Sequence, residues 1–190
     1  MKIRKAIAAA ALALVFGAGT VSAATSQPEA PNCGKFGLGY QGVVAGSFLQ
    51  GVSGRYWFDN NVAGELNLFY GRASVEMGSS ELGKGDLLLG TAKILYAPVV
   101  KTNSRFYVGV EGGLGSIDGN IGSSMSLPDT SVWTAEPLFG AEFNFTEFPE
   151  LGVNFEVGYK WHHVNSDLGS NDLDINLDGT TVAFGAHYYF

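Results

Sequence analysis

The chain has 190 residues, 11 of them basic and 18 acidic, with a formal net charge of −7 and a sequence pI near 4.8. That length fits one domain, and the acidic balance argues against a nucleic-acid partner. With 27 glycines and 13% aromatic residues, the composition suits many twisted strands joined by turns.

Residues 1–23 read as a signal peptide. Lys2, Arg4 and Lys5 precede an apolar run from Ala6 to about Ala18, and Val21, Ser22 and Ala23 occupy the cleavage positions. Cleavage after Ala23 leaves 8 basic against 18 acidic residues, a net charge of −10. No later stretch approaches the ~20 consecutive apolar residues of a spanning helix, so a membrane crossing would have to be made by strands. Residues 24–33 form a short polar lead with Pro28 and Pro31, too small for a domain. Cys33 is the single cysteine, which excludes an intrachain disulfide. Pro31 and Asn32 before it do not fit the small and apolar residues of a lipoprotein signal, so it reads as a free thiol.

From residue 34 to residue 190 the pattern is strand after strand. Alternation predicts strands over about 35–41, 52–58, 62–73, 87–97, 105–116, 132–145, 151 into the 160s, and 179–190. Asp59, Asn60 and Asn61 make a tight turn between the second and third. The connections after the second, fourth and sixth strands are short, and those after the third, fifth and seventh are longer, glycine-rich and acidic. Short turns at one end and long loops at the other are the pattern of a transmembrane barrel.

The side chains also sort by face. One side of the strands collects Phe36, Tyr56, Leu66, Leu68, Ile94, Val108, Phe139, Phe155, Trp161 and Phe184 without a charge inside the spans. The other collects Lys35, Arg55, Glu65, Lys93, Arg105, Glu111, Glu136, Glu142, Glu156 and Lys160. The first suits lipid. The second suits a narrow lumen in which paired charges satisfy one another and fill the bore. Aromatics such as Phe58, Tyr96 and Phe106 at the short-turn ends, and Tyr40, Tyr70 and Trp133 at the others, form two girdles. The expected fold is an all-β, eight-stranded, antiparallel, closed transmembrane β-barrel.

The last strand, GTTVAFGAHYYF, ends on Tyr188 and Phe190. This terminal signature and the architecture from Phe36 onward resemble the small eight-stranded outer-membrane proteins that include OmpX, Ail, the opacity-type proteins and the OmpA transmembrane domain. The resemblance implies a monomeric barrel in the bacterial outer membrane, bordered by lipid and lipopolysaccharide and assembled by the barrel-assembly machinery through its C-terminal strand. It implies no cofactor. Members include adhesins and surface-protection factors, so the expected role is non-catalytic, exercised through loops at about 42–51, 74–86, 117–131 and 164–178.

The segment Trp161–Gly179 is the richest in candidate chemistry. Pairing Asp167 with Asp172 sets Asn165 against Asp174 and His163 against Asn176, a protruding hairpin with Asp167, Asp172, Asp174 and Asp178 on one face. Such a row offers oxygen ligands to Ca²⁺ or Mg²⁺, but the bidentate Glu of an EF-hand falls at Gly185, which excludes that motif. The segment is also similar to the late His-x-Ser-Asn region of lipid A deacylases of the PagL type, through His162, His163 and Ser166. That chemistry needs His within hydrogen-bond reach of Ser. His163 and Ser166 belong to opposite strand faces, and His162 and Ser166 are about 13 Å apart along an extended strand. No catalytic or metal residue is therefore assigned, and a small-solute channel is a further, weaker alternative.

Overall fold

The computed structural model describes residues 30, 32–44, 48–77, 80–121, 125–126, 130–167 and 172–190. The expected signal peptide and most of the lead lie outside these residues. In chain order the strands are β1 (Phe36–Val44), β2 (Phe48–Trp57), β3 (Val62–Met77), β4 (Ser80–Lys101), β5 (Ser104–Ile121), a two-residue β6 (Met125–Ser126), β7 (Thr130–Asn144), β8 (Leu151–Asp167) and β9 (Asp172–Tyr189). No helix among the described residues is long and apolar enough to cross a membrane.

Every long strand pairs antiparallel with two neighbours. Pairing runs from β1 through β2, β3, β4 and β5, passes to β7, β8 and β9, and returns to β1. The short β6 only extends the outer end of β5, through Asn120↔Ser126 and Ile121↔Met125. The fold is thus an eight-stranded closed barrel, and closure removes the unpaired edges that an open sheet would present. Alternation does the rest. Leu66, Leu68, Ile94, Phe139, Phe155 and Phe184 are exposed on the outside, while their sequence neighbours point inward and are buried. An outer wall of this composition is matched to hydrocarbon.

The short turns hold one end together. Asp59 Oδ1 accepts from the backbone N–H groups of Asn61 and Val62, both at 2.7 Å, and Asn61 donates to the Ala97 carbonyl at 2.6 Å. At the same end the lead folds into the barrel base. Gly34, at φ 72°, turns the chain so that its N–H bonds to the Trp57 carbonyl, and Cys33 bridges Trp57. Ala30 and Asn32 are buried there.

The strands are longer than the hydropathy pattern predicts. β4 begins at Ser80 rather than about residue 87, and β8 and β9 pair to Asp167↔Asp172. Most of the expected loops at 42–51, 74–86, 117–131 and 164–178 are therefore continuations of the barrel wall. The reason is physical: the apolar face ends where the hydrocarbon ends, but backbone hydrogen bonding continues in water with polar side chains.

Candidate functional site

The inward positions stack in layers. At the short-turn end Trp57, Ala63, Leu95, Ala97, Tyr107, Leu138 and Tyr189 form an apolar base. Tyr189 reaches this position because β1 offers no side chain at Gly37, where a Cβ would lie 2.7 Å from its ring. Trp57 Nε1 donates to the Tyr189 hydroxyl at 3.2 Å, which in turn donates to Glu142 at 2.6 Å.

Above the base sits an ion network. The Arg55 guanidinium reaches Glu65, Glu142 at 2.8 Å and Glu156 at 2.9 Å, with no solvent exposure of its own. Lys93 lies 2.9 Å from Glu65, 2.6 Å from Glu156 and 3.5 Å from Glu111. Arg105 pairs with Glu142 at 3.3 Å and stacks on the Trp57 ring at 4.0 Å. Lys160 bridges Glu111 at 2.6 Å and Glu136 at 2.8 Å. Tyr107 and Asn154 also donate to the Glu156 oxygen that Arg55 engages, and Gln41 donates to the one that Lys93 engages. Nine of the ten residues expected inside are thus brought together. Lys35 is the exception: it precedes β1, is half-exposed, and joins none of these ion pairs among the described residues.

Two residues that the sequence reading passed over belong to the same layers. His187 is fully buried with Nε2 2.8 Å from Ser53 Oγ, and Tyr107 stacks under Arg55 at 5.4 Å. Their inward position was available from the alternation of β9 and β5. Their partners, far away in sequence, were not.

The outer end is different. β8 and β9 run together beyond the apolar belt with the register Asn165↔Asp174 and His163↔Asn176, and Asp174, Asn176 and Asp178 are exposed. Asp178 accepts from the Tyr159 hydroxyl. The side chains of Asp167 and Asp172 are outside the described set. Among the described residues no group of three or more His, Cys, Asp or Glu side chains is arranged to hold a metal ion. At the rim of β3 and β4, Tyr70 and then Arg72 donate to Asp86, at 2.6 and 2.8 Å, and hold its carboxyl below the ordinary carboxylate value.

The histidines considered for hydrolysis are separated by the wall. His163 Nδ1 lies 2.7 Å from Asn176 Oδ1, its Nε2 lies 3.8 Å from Asp174, and its ring packs 5.5 Å from Trp133. His162 belongs to the inward face with Lys160. The backbone of Ser166 pairs with Thr130 and Leu173, three residues further along β8 than His163. The two histidines do not converge on one reaction centre.

No family model matches the chain, and no curated protein matches it. Its likeness is to solved membrane barrels. The outer membrane protein AlkL, solved in lipid bilayers, is 15% identical with a TM-score of 0.53, over 88% of this chain and 94% of that one. The N-terminal barrel domain of Pseudomonas aeruginosa OprF is 19% identical, with a TM-score of 0.48 over 83% and 98% of the two chains. OprG of Pseudomonas aeruginosa is 19% identical, with a TM-score of 0.47 over 86% and 98%. The chain therefore has the fold of a small bacterial outer-membrane β-barrel.

Proposed function

We propose that this protein is a non-catalytic, monomeric outer-membrane barrel whose bore is plugged by its own ion network and whose work is done at the cell surface. The observation that carries this reading is the contrast within one wall. Inside, Arg55, Glu65 and Glu142 have no solvent exposure, and the interior of an eight-stranded barrel is wide enough for side chains to fill but not for an open water channel. Outside, β8 and β9 extend past the belt with an acidic, solvated face at Asp174 and Asp178. The neighbours in this reading are lipid and lipopolysaccharide around the belt, the assembly machinery at the strand ending in Tyr188 and Phe190, and a surface ligand at the extended strands.

The role is envelope integrity or adhesion. Replacing residues 162–177 by a tight turn tests it in cells. The shortened barrel is expected to insert and to keep its heat-modifiable migration, while surface attachment or resistance to envelope stress falls to the level of cells lacking the protein. Unchanged phenotypes in the shortened form would reject the reading. The hydrolase alternative is checked separately by mass spectrometry of lipid A incubated with the refolded protein and with Ser166→Ala. Acyl-chain loss with the unsubstituted protein alone would replace the non-catalytic reading.

A further inference from the structure

The lipid-facing wall is not evenly filled. Between Leu66 on β3 and Leu114 on β5 it opens into a hollow of about 520 Å³ over Gly90, Ala92 and Gly112. Register sets its shape: Leu66, Ala92 and Gly112 stand in one row across β3, β4 and β5, and Leu68, Gly90 and Leu114 in the next. Leu66 and Leu114, 68% and 74% exposed, rise as ridges on either side. Asn67 and Thr91 also border the hollow, but their side chains bond to each other inside the lumen, so their share of its floor is backbone held in the ladder. The outer end of the hollow meets the aromatic girdle, because Leu114 pairs with Trp133 and Leu68 is followed by Tyr70 two positions further out.

Packing among the described residues does not require this hollow. Gly54 and Gly64 also face outward, but a Cβ there would lie 3.1 Å from the Phe36 ring and 3.3 Å from the Phe58 ring, so a neighbouring aromatic roofs each of them. Gly113 and Gly115 face inward, where a Cβ would come within 2.7 and 2.4 Å of other atoms, and packing there demands glycine. Gly90 and Gly112 fit neither case. A Cβ on them would lie 3.8 and 4.0 Å from its nearest neighbour, neither has a positive φ, and the ladder runs through both without a shift. A glycine inside a strand forgoes side-chain packing, and where it serves no bulge or bend it marks a place where something else approaches the backbone.

We infer that the hollow seats one acyl chain of an outer-leaflet lipid, a saturated chain lying straight along β4. This fixes one particular lipid within the belt of the reading above, and it rests on the membrane placement alone, not on the surface role. The occupant follows from the surroundings. The hollow is continuous with the hydrocarbon-facing wall, the side chains that project into it are apolar, and it ends at the outer girdle. Ridges on β3 and β5 stand two strand spacings apart, about 9.6 Å, which leaves between them the width of one extended hydrocarbon chain. A second copy of the barrel would need about 1,000 Å² of matched surface, and a trough one strand wide is far smaller. Since lipid surrounds the wall in any case, the chain is held by van der Waals contact with bare backbone, which a chain bent by a cis double bond makes less well.

The test uses the full barrel in nanodiscs holding equal amounts of lipid A, whose chains are saturated, and dioleoylphosphatidylcholine, followed by native mass spectrometry of the released protein. A single lipid A is expected to stay on each barrel, with the unsaturated phospholipid retained at least about tenfold less. Gly90→Leu combined with Gly112→Leu fills the hollow from open space and is expected to lower lipid A retention about tenfold in a barrel that stays heat-modifiable. Equal retention of the two lipids by the unsubstituted protein overturns the proposal without relying on any variant. Undiminished lipid A retention in the heat-modifiable double variant also overturns it, as does a paired barrel in place of the lipid-bound one. A barrel that fails to enter the nanodisc would overturn the membrane placement itself, so the two failures are told apart.

Discussion

The lower lumen and the β8–β9 ribbon use the same residue types to opposite ends. In the lumen, glutamates meet arginine and lysine out of contact with water, each oxygen held by a cation, hydroxyl or amide. On the ribbon, Asp174 and Asp178 remain exposed, and His163 approaches Asp174 no closer than 3.8 Å. Burial decides what a charge is worth. A buried pair broken on one side leaves the other charge stranded, whereas a solvated pair returns its partner to water at little cost.

The largest expected effect follows from removing the hub of the lumen. Arg55→Ala strands carboxylates on β3, β7 and β8 together and is expected to destabilise the barrel by about 3–5 kcal/mol, read as a lowered urea midpoint for refolding into detergent or lipid. Next comes the outer wall. Leu66→Arg places a charge on the lipid face of β3 and is expected to cost about 2–4 kcal/mol in a bilayer if it sits near the midplane, with a much smaller loss in a short-chain detergent that lets water reach the belt. An equal loss in both media would show that this wall does not face lipid.

Tyr189→Phe sharpens the comparison inside the lumen. It removes the hydroxyl between Trp57 and Glu142 while keeping the ring, and about 1–3 kcal/mol is expected from the buried indole N–H left without an acceptor, while Glu142 keeps its bond from Arg55. On the ribbon, Asp174→Asn is expected to change stability by no more than about 0.5 kcal/mol. The smallest effect is at the β3–β4 rim. Asp86 has a lowered value in the folded state, so its contribution is present above its unfolded value and fades as pH falls through the folded one. Tyr70→Phe removes the first of its two donors, so the Asp86 carboxyl should titrate at higher pH in a carbon-detected NMR titration.

Much of the fold was legible because a barrel wall is written in period two. Phe155, Val157 and Tyr159 alternating with Glu156, Gly158 and Lys160 identify the two faces of β8 without reference to any other strand. The hairpin register Asn165↔Asp174 was legible for a related reason, since a short connection and matched faces leave few alternatives. Contacts across the bore were not. Arg55 and Glu142 are 87 positions apart, and alternation says that both point inward without saying that they meet. Closure and tilt decide that. Lys35 shows the converse error: it has the right parity, but it stands ahead of the first ladder pair, where parity no longer fixes direction. The strand extensions were hidden because hydropathy records the thickness of the hydrocarbon, not the length of the backbone ladder.

A bore closed by the Arg55 network should carry no ions, and planar-bilayer recording of the refolded barrel in symmetric potassium chloride at neutral pH tests this directly. The structure predicts no steady ohmic conductance beyond the bare membrane while the protein remains inserted and heat-modifiable. A stable, reproducible unit conductance from the same preparation would contradict it, and would mean that the Arg55 network lines a pathway instead of closing one.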